Sequence, residues 1–278
     1  MSLAELGAKP PSVAAEEEFG PWFEQIADTL LNRVDLVVMG ESYRIAEVEA
    51  YYHGPGHADP FSHRQPIQRE NGRWYFHRSR FEYRGGTFKG LDLTLGDGAA
   101  YFAFLIRSIV ANDGTLFNGP CVVVDHILKC TKSESVAALD RDIRDRGIWD
   151  AGSRLALRES TNPRSQPVYS SSRVGLSLKN TTGKPNATRF IGKSYRFLTE
   201  PRAITKGKAQ LVAARHERGD STESIAALTR CPKHTVERYV QEFKTGKLAS
   251  NFDSYVGKDL SSAALCRLLG TWAGEYGG

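Results

Sequence analysis

Short apolar runs rich in β-branched and aromatic residues recur in the chain before Pro201, a pattern typical of β-strands. Residues 35–52 contain two such runs, joined by Gly40, Glu41 and Ser42, and are predicted to form a β-hairpin. Residues 161–172 are rich in serine, proline and asparagine and are predicted to be a loop. Further strands are predicted at residues 72–78, 91–95, 99–110, 121–128, 172–178 and 188–198.

Helical spacing of apolar residues interrupts this β-rich pattern at three places before and after the strands. Helices are predicted at residues 21–31 and 134–149. Close to the C-terminus, apolar side chains at i, i+3, i+4 and i+7 predict a further helix that covers an apolar surface: Leu265, Leu268, Leu269 and Trp272.

The sequence pattern changes from strand-like to helical near residue 206, where three short helices are predicted in succession. The first is predicted at residues 206–216 and ends before Gly219. Asp220, with Glu223 three residues later, is predicted to form a capping box for the second. After a turn at Cys231 and Pro232, a third helix buries one face: Val236, Tyr239, Val240 and Phe243. This order is typical of a helix-turn-helix.

The outer face of the third helix carries polar and basic side chains that can reach a DNA major groove. The predicted DNA contacts are Lys233, His234, Thr235 and Arg238, with Glu237 on the same face. Residues 206–247 hold nine Lys or Arg against five Asp or Glu, within a chain of net charge +5. This local basic surplus favours a polyanionic partner. The same three helices are also compatible with a packing or protein-contact module.

Composition restricts the class of protein further. Of the 278 residues, 40% are hydrophobic and 25% are charged, as in an ordinary folded chain. We find neither an apolar run long enough to span a membrane nor a signal-peptide pattern, so we expect a cytoplasmic protein. The four cysteines are widely spaced, which predicts reduced thiols and no zinc site.

One predicted strand places two acids and an aromatic residue on the same face. Side chains alternate along a strand, so Glu47, Glu49 and Tyr51 point to one side, with the two carboxylates roughly 7 Å apart. Such a pair is suited to general-base catalysis if it is buried. An exposed polar face of an ordinary sheet has the same pattern.

The order of several motifs resembles the alkyladenine (3-methyladenine) DNA glycosylase family. The similar segments are residues 44–51 (RIAEVEAY), 59–63 (DPFSH), 96–98 (GDG), 105–109 (LIRSI), 118–120 (NGP) and 172–175 (SRVG). They are colinear over most of the larger domain, and the helix-turn-helix lies outside them. The resemblance implies an α+β fold with a curved antiparallel sheet. It also implies that residues 118–120 precede a helix.

The resemblance implies a role for individual residues. Glu49 would activate water and offset oxocarbenium charge, and Arg107 would hold the water or the sugar-phosphate. Tyr51 and His63 would sandwich the flipped base. Glu47 is interpreted as a structural residue that pairs with a nearby basic side chain. No residue matches the lysine nucleophile of a bifunctional lyase, so we expect simple hydrolysis to an abasic site. The expected substrate is double-stranded DNA that contains a modified base. We expect a monomer that needs no cofactor or metal.

The sequence departs from the family around the residue that wedges into the duplex. That position falls near Gly85 and Gly86, with Phe81, Tyr83 or Phe88 as substitutes. Asp92 falls where the family commonly has an asparagine. A wider pocket, with a carboxylate that accepts a hydrogen bond from an exocyclic amine, points to a bulky modified cytosine. An example is glucosylated hydroxymethylcytosine of phage DNA, in which case the role is antiviral defence rather than repair.

These observations predict an N-terminal arm (residues 1–20), a glycosylase-like α+β domain (21–203) and a helix-turn-helix-like domain (204–278). Two other functions stay open. One is a non-catalytic DNA-binding protein, which would not require Glu49 beside Tyr51, His63 and Arg107. The other is a related pocket for free nucleosides or RNA, which the basic helices make less attractive.

Overall fold

The computed structural model describes residues 16–181, 184–249 and 251–277. Its contacts divide the chain into two compact units. The first comprises the described residues up to Ala58, Ser62–Val168 and Phe197–Thr199. The second comprises Asp59–Phe61, Tyr169–Arg196 and the described residues from Glu200 onward. Most of the predicted N-terminal arm lies outside the described residues, and the first helix already begins at Phe19.

Strands and helices alternate unevenly in the first unit. Its helices are α1 (Phe19–Asn32), α2 (Pro120–Thr131) and α3 (Val136–Ile143). Its strands are β1 (Val34–Val38), β2 (Glu41–Gly54), β3 (His57–Ala58), β4 (Asn71–Phe76), β5 (Arg78–Ser79), β6 (Glu82–Tyr83), β7 (Leu91–Leu95), β8 (Tyr101–Ala111), β9 (Leu116–Asn118) and β10 (Leu155–Glu159).

The first unit is built on a curled antiparallel sheet with strand order β10-β1-β2-β8-β7-β4. The predicted hairpin of residues 35–52 is confirmed as β1 and β2, and Gly40 takes a positive φ of 89° at its turn. The long pair β2 and β8 shifts register on both sides of Glu47. Such bulges bend a strand and increase its twist. The mixed α+β class with a curved antiparallel sheet is therefore confirmed.

An aromatic core joins helix α1 to the sheet. Phe23 is fully buried, and its ring centroid lies 5.5 Å from that of Phe102 and 6.3 Å from those of Tyr52 and Phe104. Trp22 lies 4.7 Å from Phe102. The apolar stripe predicted for residues 21–31 thus covers one face of β2 and β8, because residues of like parity on a strand share a face.

The strand predicted at residues 121–128 is wrong, and the helix implied by the family resemblance is correct. Residues 121–128 lie in α2, which has proline at its first position, where a missing N–H costs nothing. Val123, Val124 and Ile127 are fully buried at helical spacing. Tertiary packing here overrides the strand preference of three consecutive valines.

Two other strand predictions need correction. Residues 172–178 contain no strand, because the chain turns at Gly175, which has a φ of 85°. Residues 188–198 are divided between helix α4 (Ala187–Ile191) and strand β12 (Arg196–Leu198). Strand β11 (Tyr169–Ser171) lies within the stretch predicted as a loop.

The second unit contains α4 and the helices α5 (Lys208–Glu217), α6 (Thr222–Thr229), α7 (Lys233–Lys247) and α8 (Ser262–Tyr276). The three predicted helices are confirmed as α5, α6 and α7, and they share one apolar cluster: Val212, Ile225, Val236 and Val240. The predicted cap of α6 is wrong by one residue. Ser221 is the N-cap and accepts from Ser224 N, whereas Asp220 pairs with Arg215 at 2.6 Å.

Helix α8 confirms the helix predicted from Leu265 to Trp272, and it packs against α5 and α7. Glycines allow the backbones of α7 and α8 to approach closely. A Cβ on Gly246 would lie 2.0 Å from Arg267 O, and one on Gly270 would lie 2.0 Å from Phe243 O. Any larger residue at either position would force the two helices apart.

Within the described residues, no helix has the length and apolarity needed to cross a membrane.

Candidate active site

A row of four side chains crosses the sheet of the first unit. Tyr75 on β4 lies opposite Asp92 on β7, Asp92 lies opposite Leu105 on β8, and Leu105 lies opposite Glu49 on β2. Directly opposed residues of antiparallel strands project from the same face. Glu49 and Asp92 are therefore on one face, two strand spacings or roughly 10 Å apart. Each is at most 2% exposed.

Glu49 is held by two neighbours that the sequence grouped with it. The Tyr51 hydroxyl donates to Glu49 Oε2 at 2.9 Å. Arg107 Nε lies 3.4 Å from Glu49 Oε1. The carboxylate is fully buried while Tyr51 is half-buried, so the tyrosine ring is the more open part of this group. The structure therefore brings together Glu49, Tyr51 and Arg107.

Arg107 Nε lies closer to the carboxylate of Glu47 than to that of Glu49. This pairing is the one predicted for a structural Glu47. Arg107 Nε donates to Glu47 Oε1 at 2.9 Å, and Ser108 Oγ donates to Glu47 Oε2 at 2.6 Å. Burial disfavours the charged guanidinium, but the adjacent carboxylates of Glu49 and Glu47 outweigh it and raise the pKa of Arg107. The Arg107 guanidinium therefore lies between the carboxylates of Glu47 and Glu49.

A second cluster surrounds Asp92 on the same face. His77 Nε2 lies 2.7 Å from Asp92 Oδ1, and His63 Nδ1 lies 3.1 Å from the Tyr75 hydroxyl. The two imidazole rings meet edge to face with centroids 4.5 Å apart. Burial, followed by the charge of Asp92, raises the pKa of Tyr75. Asp92 is thus already engaged by a histidine through one of its oxygens.

Tyr75 and His77 are not among the site residues predicted from the sequence. A signal for them was present, because residues 72–78 were predicted to form a strand on which Tyr75 and His77 share a face. Only the pairing of β4 with β7 shows that this face is the one that carries Asp92.

The two aromatic candidates for the duplex wedge have different environments. Tyr83 donates to Asp140 Oδ2 at 2.6 Å and accepts from Arg78 at 2.7 Å. Phe81 lies at the tip of the β5–β6 hairpin and is 94% exposed. Phe88 is 71% exposed. Tyr83 is therefore tied to α3, while the two phenylalanines are open to solvent.

The predicted DNA contacts of the second unit lie in the first turns of α7. Lys233, His234 and Arg238 are exposed, and Thr235 is half-buried. Lys233 Nζ pairs with Glu223 Oε1 of α6 at 2.6 Å, and both side chains are more than half exposed. Exposed pairs of this kind contribute little to stability and exchange readily with other partners.

Across the described ranges, no group of three or more His, Cys, Asp or Glu side chains is arranged to hold a metal ion.

Comparison with known proteins yields a relative but no function. No protein-family model matches the chain. The chain is 33% identical over 185 residues to "Uncharacterized protein L759" of Acanthamoeba polyphaga mimivirus. The matched region covers 61% of this chain and 85% of the mimivirus protein.

Proposed function

We propose that this chain, which belongs to the same family as uncharacterized protein L759 of Acanthamoeba polyphaga mimivirus, is a monofunctional DNA glycosylase. In this proposal it flips a modified base out of double-stranded DNA and hydrolyses the N-glycosidic bond, leaving an abasic site. The observation that carries the proposal is the fully buried Glu49 carboxylate, bonded by Tyr51 and adjacent to Arg107. Burying a carboxylate is costly, and Glu47 already pairs with Arg107, so a second buried carboxylate beside them favours a functional role for Glu49.

The proposed type of fold is supported by where the matched motifs meet. We assign the sheet to the alkyladenine glycosylase type because its motif strands β2 and β8 pair directly. Two further motif residues, Asp59 and Arg173, form an ion pair within the second unit, and both side chains are fully buried. A buried pair of this kind is sensitive to the loss of either member. It holds Asp59, the first residue of the matched segment 59–63, in place.

Binding of the flipped base rests on the half-buried rings of Tyr51 and His63. Stacking on aromatic rings contributes about 1–3 kcal/mol per base and suits an electron-poor base. The Tyr75 hydroxyl contacts His63 Nδ1 and His77 packs against its edge, so the ring has a fixed orientation. These neighbours position the histidine before the base arrives.

Hydrolysis then needs a general base to activate water, and a negative charge beside the sugar. Glu49 accepts a proton from water as the water oxygen bonds to C1′ and the N-glycosidic electrons leave with the base. Arg107 Nε lies closer to Glu47 than to Glu49, and the Glu49 carboxylate provides the negative charge for the oxocarbenium-like transition state. Arg107 and Tyr51 hold the carboxylate in place.

Duplex opening is assigned to Phe81. An aromatic side chain that is 94% exposed at a hairpin tip is free to enter a base step, whereas Tyr83 is bound to Asp140. Inserted apolar side chains unstack base pairs at a cost of about a few kcal/mol per step. The basic first turns of α7 add contacts to the DNA through Lys233, His234, Thr235 and Arg238.

A second candidate substrate is a bulky modified cytosine, with a role in defence against phage. Two observations favour it. Asp92 keeps one carboxylate oxygen, Oδ2, apart from the His77 contact and in the row with Glu49, which suits an exocyclic amine. Open space also borders Gly85 and Gly86, because a Cβ on either residue would meet nothing within 4 Å.

A panel of duplexes with methylated, deaminated or glucosylated bases, scored by alkaline cleavage at abasic sites, decides between the substrates. Release confined to alkylated purines would exclude the cytosine proposal.

The catalytic proposal is tested with Glu49→Gln, which keeps the shape of the side chain and removes its charge. We expect DNA binding close to that of the wild-type protein and base release reduced by at least a hundredfold. Asp125→Asn, at an exposed position of α2, is the matched control and should retain full activity. Unchanged release by Glu49→Gln would refute the catalytic role, and bound but uncleaved DNA in both proteins would favour a non-catalytic binder.

A further inference from the structure

A polar cavity of about 430 Å³ lies at the opposite end of β8 from the candidate active site, within the first unit. Its wall includes Val110, which is five residues along β8 from Leu105 of the catalytic row, or roughly 17 Å. The cavity volume lies within the usual range of small-molecule sites, about 300–1,000 Å³. The side chains that line it are mainly polar or charged: Asp35, Ser42, Arg44, Asn112, Asn162 and Arg164.

The charges around this cavity are ordered by strand pairing. Arg158 of β10, Asp35 of β1 and Arg44 of β2 lie directly opposite one another in adjacent strands. Arg158 also donates to Ser42 Oγ in the cavity wall at 2.7 Å. The guanidiniums of Arg44 and Arg164 line the cavity with a single carboxylate, that of Asp35. The lining therefore has a net positive charge.

Arg164 is only partly satisfied by the protein. One terminal nitrogen, Nη2, lies 3.3 Å from Asp35 Oδ1. Its Nε is buried and has no hydrogen-bond partner in the part of the chain that the structure describes. Burial lowers the pKa of Arg164, and the positive charge of Arg44 adds to this effect. An anion in the cavity would accept hydrogen bonds from the accessible part of the Arg164 guanidinium and would offset the repulsion between the two guanidiniums.

The loop that carries Arg164 is held in place before any ligand binds. Buried Asn32 at the end of α1 donates to Gln166 O at 3.0 Å and accepts from Gln166 N at 3.1 Å. Arg164 N donates to Asn32 O at 2.8 Å. Gln166 also accepts from Arg44 Nη1 at 2.7 Å, so both arginines are oriented through the same loop. Preorganisation of this kind lowers the entropic cost of binding.

We propose that this cavity binds the phosphoryl group of a nucleotide-sized ligand, with Arg44 and Arg164 as the anion-binding side chains. Guanidinium groups match phosphate oxygens in geometry and charge. The cavity is larger than one phosphate requires, and Asn112, Asn162 and Thr161 provide donors and acceptors for a sugar. This site is separate from Glu49, and its occupancy does not depend on the glycosylase proposal.

Calorimetric titration of the whole protein with inorganic phosphate, AMP and adenosine tests the site. We expect AMP and phosphate to bind in competition and adenosine to bind at least tenfold more weakly than AMP. Arg164→Ala should weaken AMP binding by about tenfold or more, as expected for a charge-assisted contact. Arg44→Gln is the second variant, and Arg141→Ala, an exposed arginine of α3, is the control.

Several outcomes would overturn the proposal. They are the absence of binding at millimolar phosphate and AMP, equal binding of AMP and adenosine, and unchanged AMP affinity in folded Arg164→Ala and Arg44→Gln proteins. A short unmodified duplex added to the AMP complex identifies the source of the phosphate. Displacement assigns the site to a DNA backbone phosphate, and no displacement assigns it to a free nucleotide.

Discussion

Replacing Arg107 with methionine would leave two carboxylates facing each other in a closed part of the sheet. Arg107 is 4% exposed and Glu47 and Glu49 are fully buried, with Arg107 Nε 2.9 Å and 3.4 Å from their oxygens. Removing one member of a buried ion pair costs about 3–5 kcal/mol, because the remaining charge has no compensation. We expect Arg107→Met to lose that much stability and its melting temperature to fall by roughly 6–20 °C.

The double variant Arg107→Met/Glu47→Gln separates this cause from a simple packing defect. Neutralising Glu47 removes one of the two carboxylate charges that Arg107 contacts and keeps the Ser108 hydrogen bond. We therefore expect it to recover about half of the loss, a coupling of about 1–3 kcal/mol. Urea unfolding followed by tryptophan fluorescence measures all variants, with Arg141→Met as the exposed control. A loss below about 1 kcal/mol in Arg107→Met, or no recovery in the double variant, would refute this reasoning.

Three further predictions concern other parts of the chain. Phe81→Ala should leave unfolding unchanged, because Phe81 is 94% exposed, but should lower base release from duplex DNA more than from single-stranded DNA; equal effects on both would exclude a wedge. Ser221→Ala should cost about 1 kcal/mol as the true N-cap of α6, whereas Asp220→Ala should cost less, and the reverse order in thermal unfolding would restore the cap predicted from sequence. Burial lowers the pKa of His126 in the folded protein, so as the pH falls the unfolded protein takes up this proton first. The free energy of unfolding should therefore decrease as the pH drops through the ordinary histidine pKa of 6.5. His126→Phe should flatten the melting-temperature profile between pH 7 and pH 5, and an unchanged slope would contradict it.

The elements best predicted from sequence are those whose local pattern and packing agree. The hairpin of residues 35–52 has two β-rich runs and a glycine at its turn, and the face shared by Glu47, Glu49 and Tyr51 follows from the alternation of side chains along a strand. The three helices after residue 206 follow from spacing and a shared apolar cluster. Here local preference and tertiary contacts favour the same structure.

The failures have physical causes. Three valines at residues 122–124 favour a strand, but Pro120 and the buried positions of Val123 and Ile127 make a helix. The partners of Asp92 depend on which strand lies beside β7, and a single sequence does not specify that order. The engagement of Tyr83 depends on Asp140, 57 residues further along the chain.

The most direct test of the central claim follows the oxygen of water during base release. A duplex with the base identified by the substrate panel is incubated with the protein in ¹⁸O-labelled water, and the products are analysed by mass spectrometry. The account predicts an intact free base and one ¹⁸O atom at C1′ of the abasic site under single-turnover conditions, both absent with Glu49→Gln. Unlabelled sugar, strand cleavage without alkali, or equal release by Glu49→Gln would contradict hydrolysis by water that Glu49 activates.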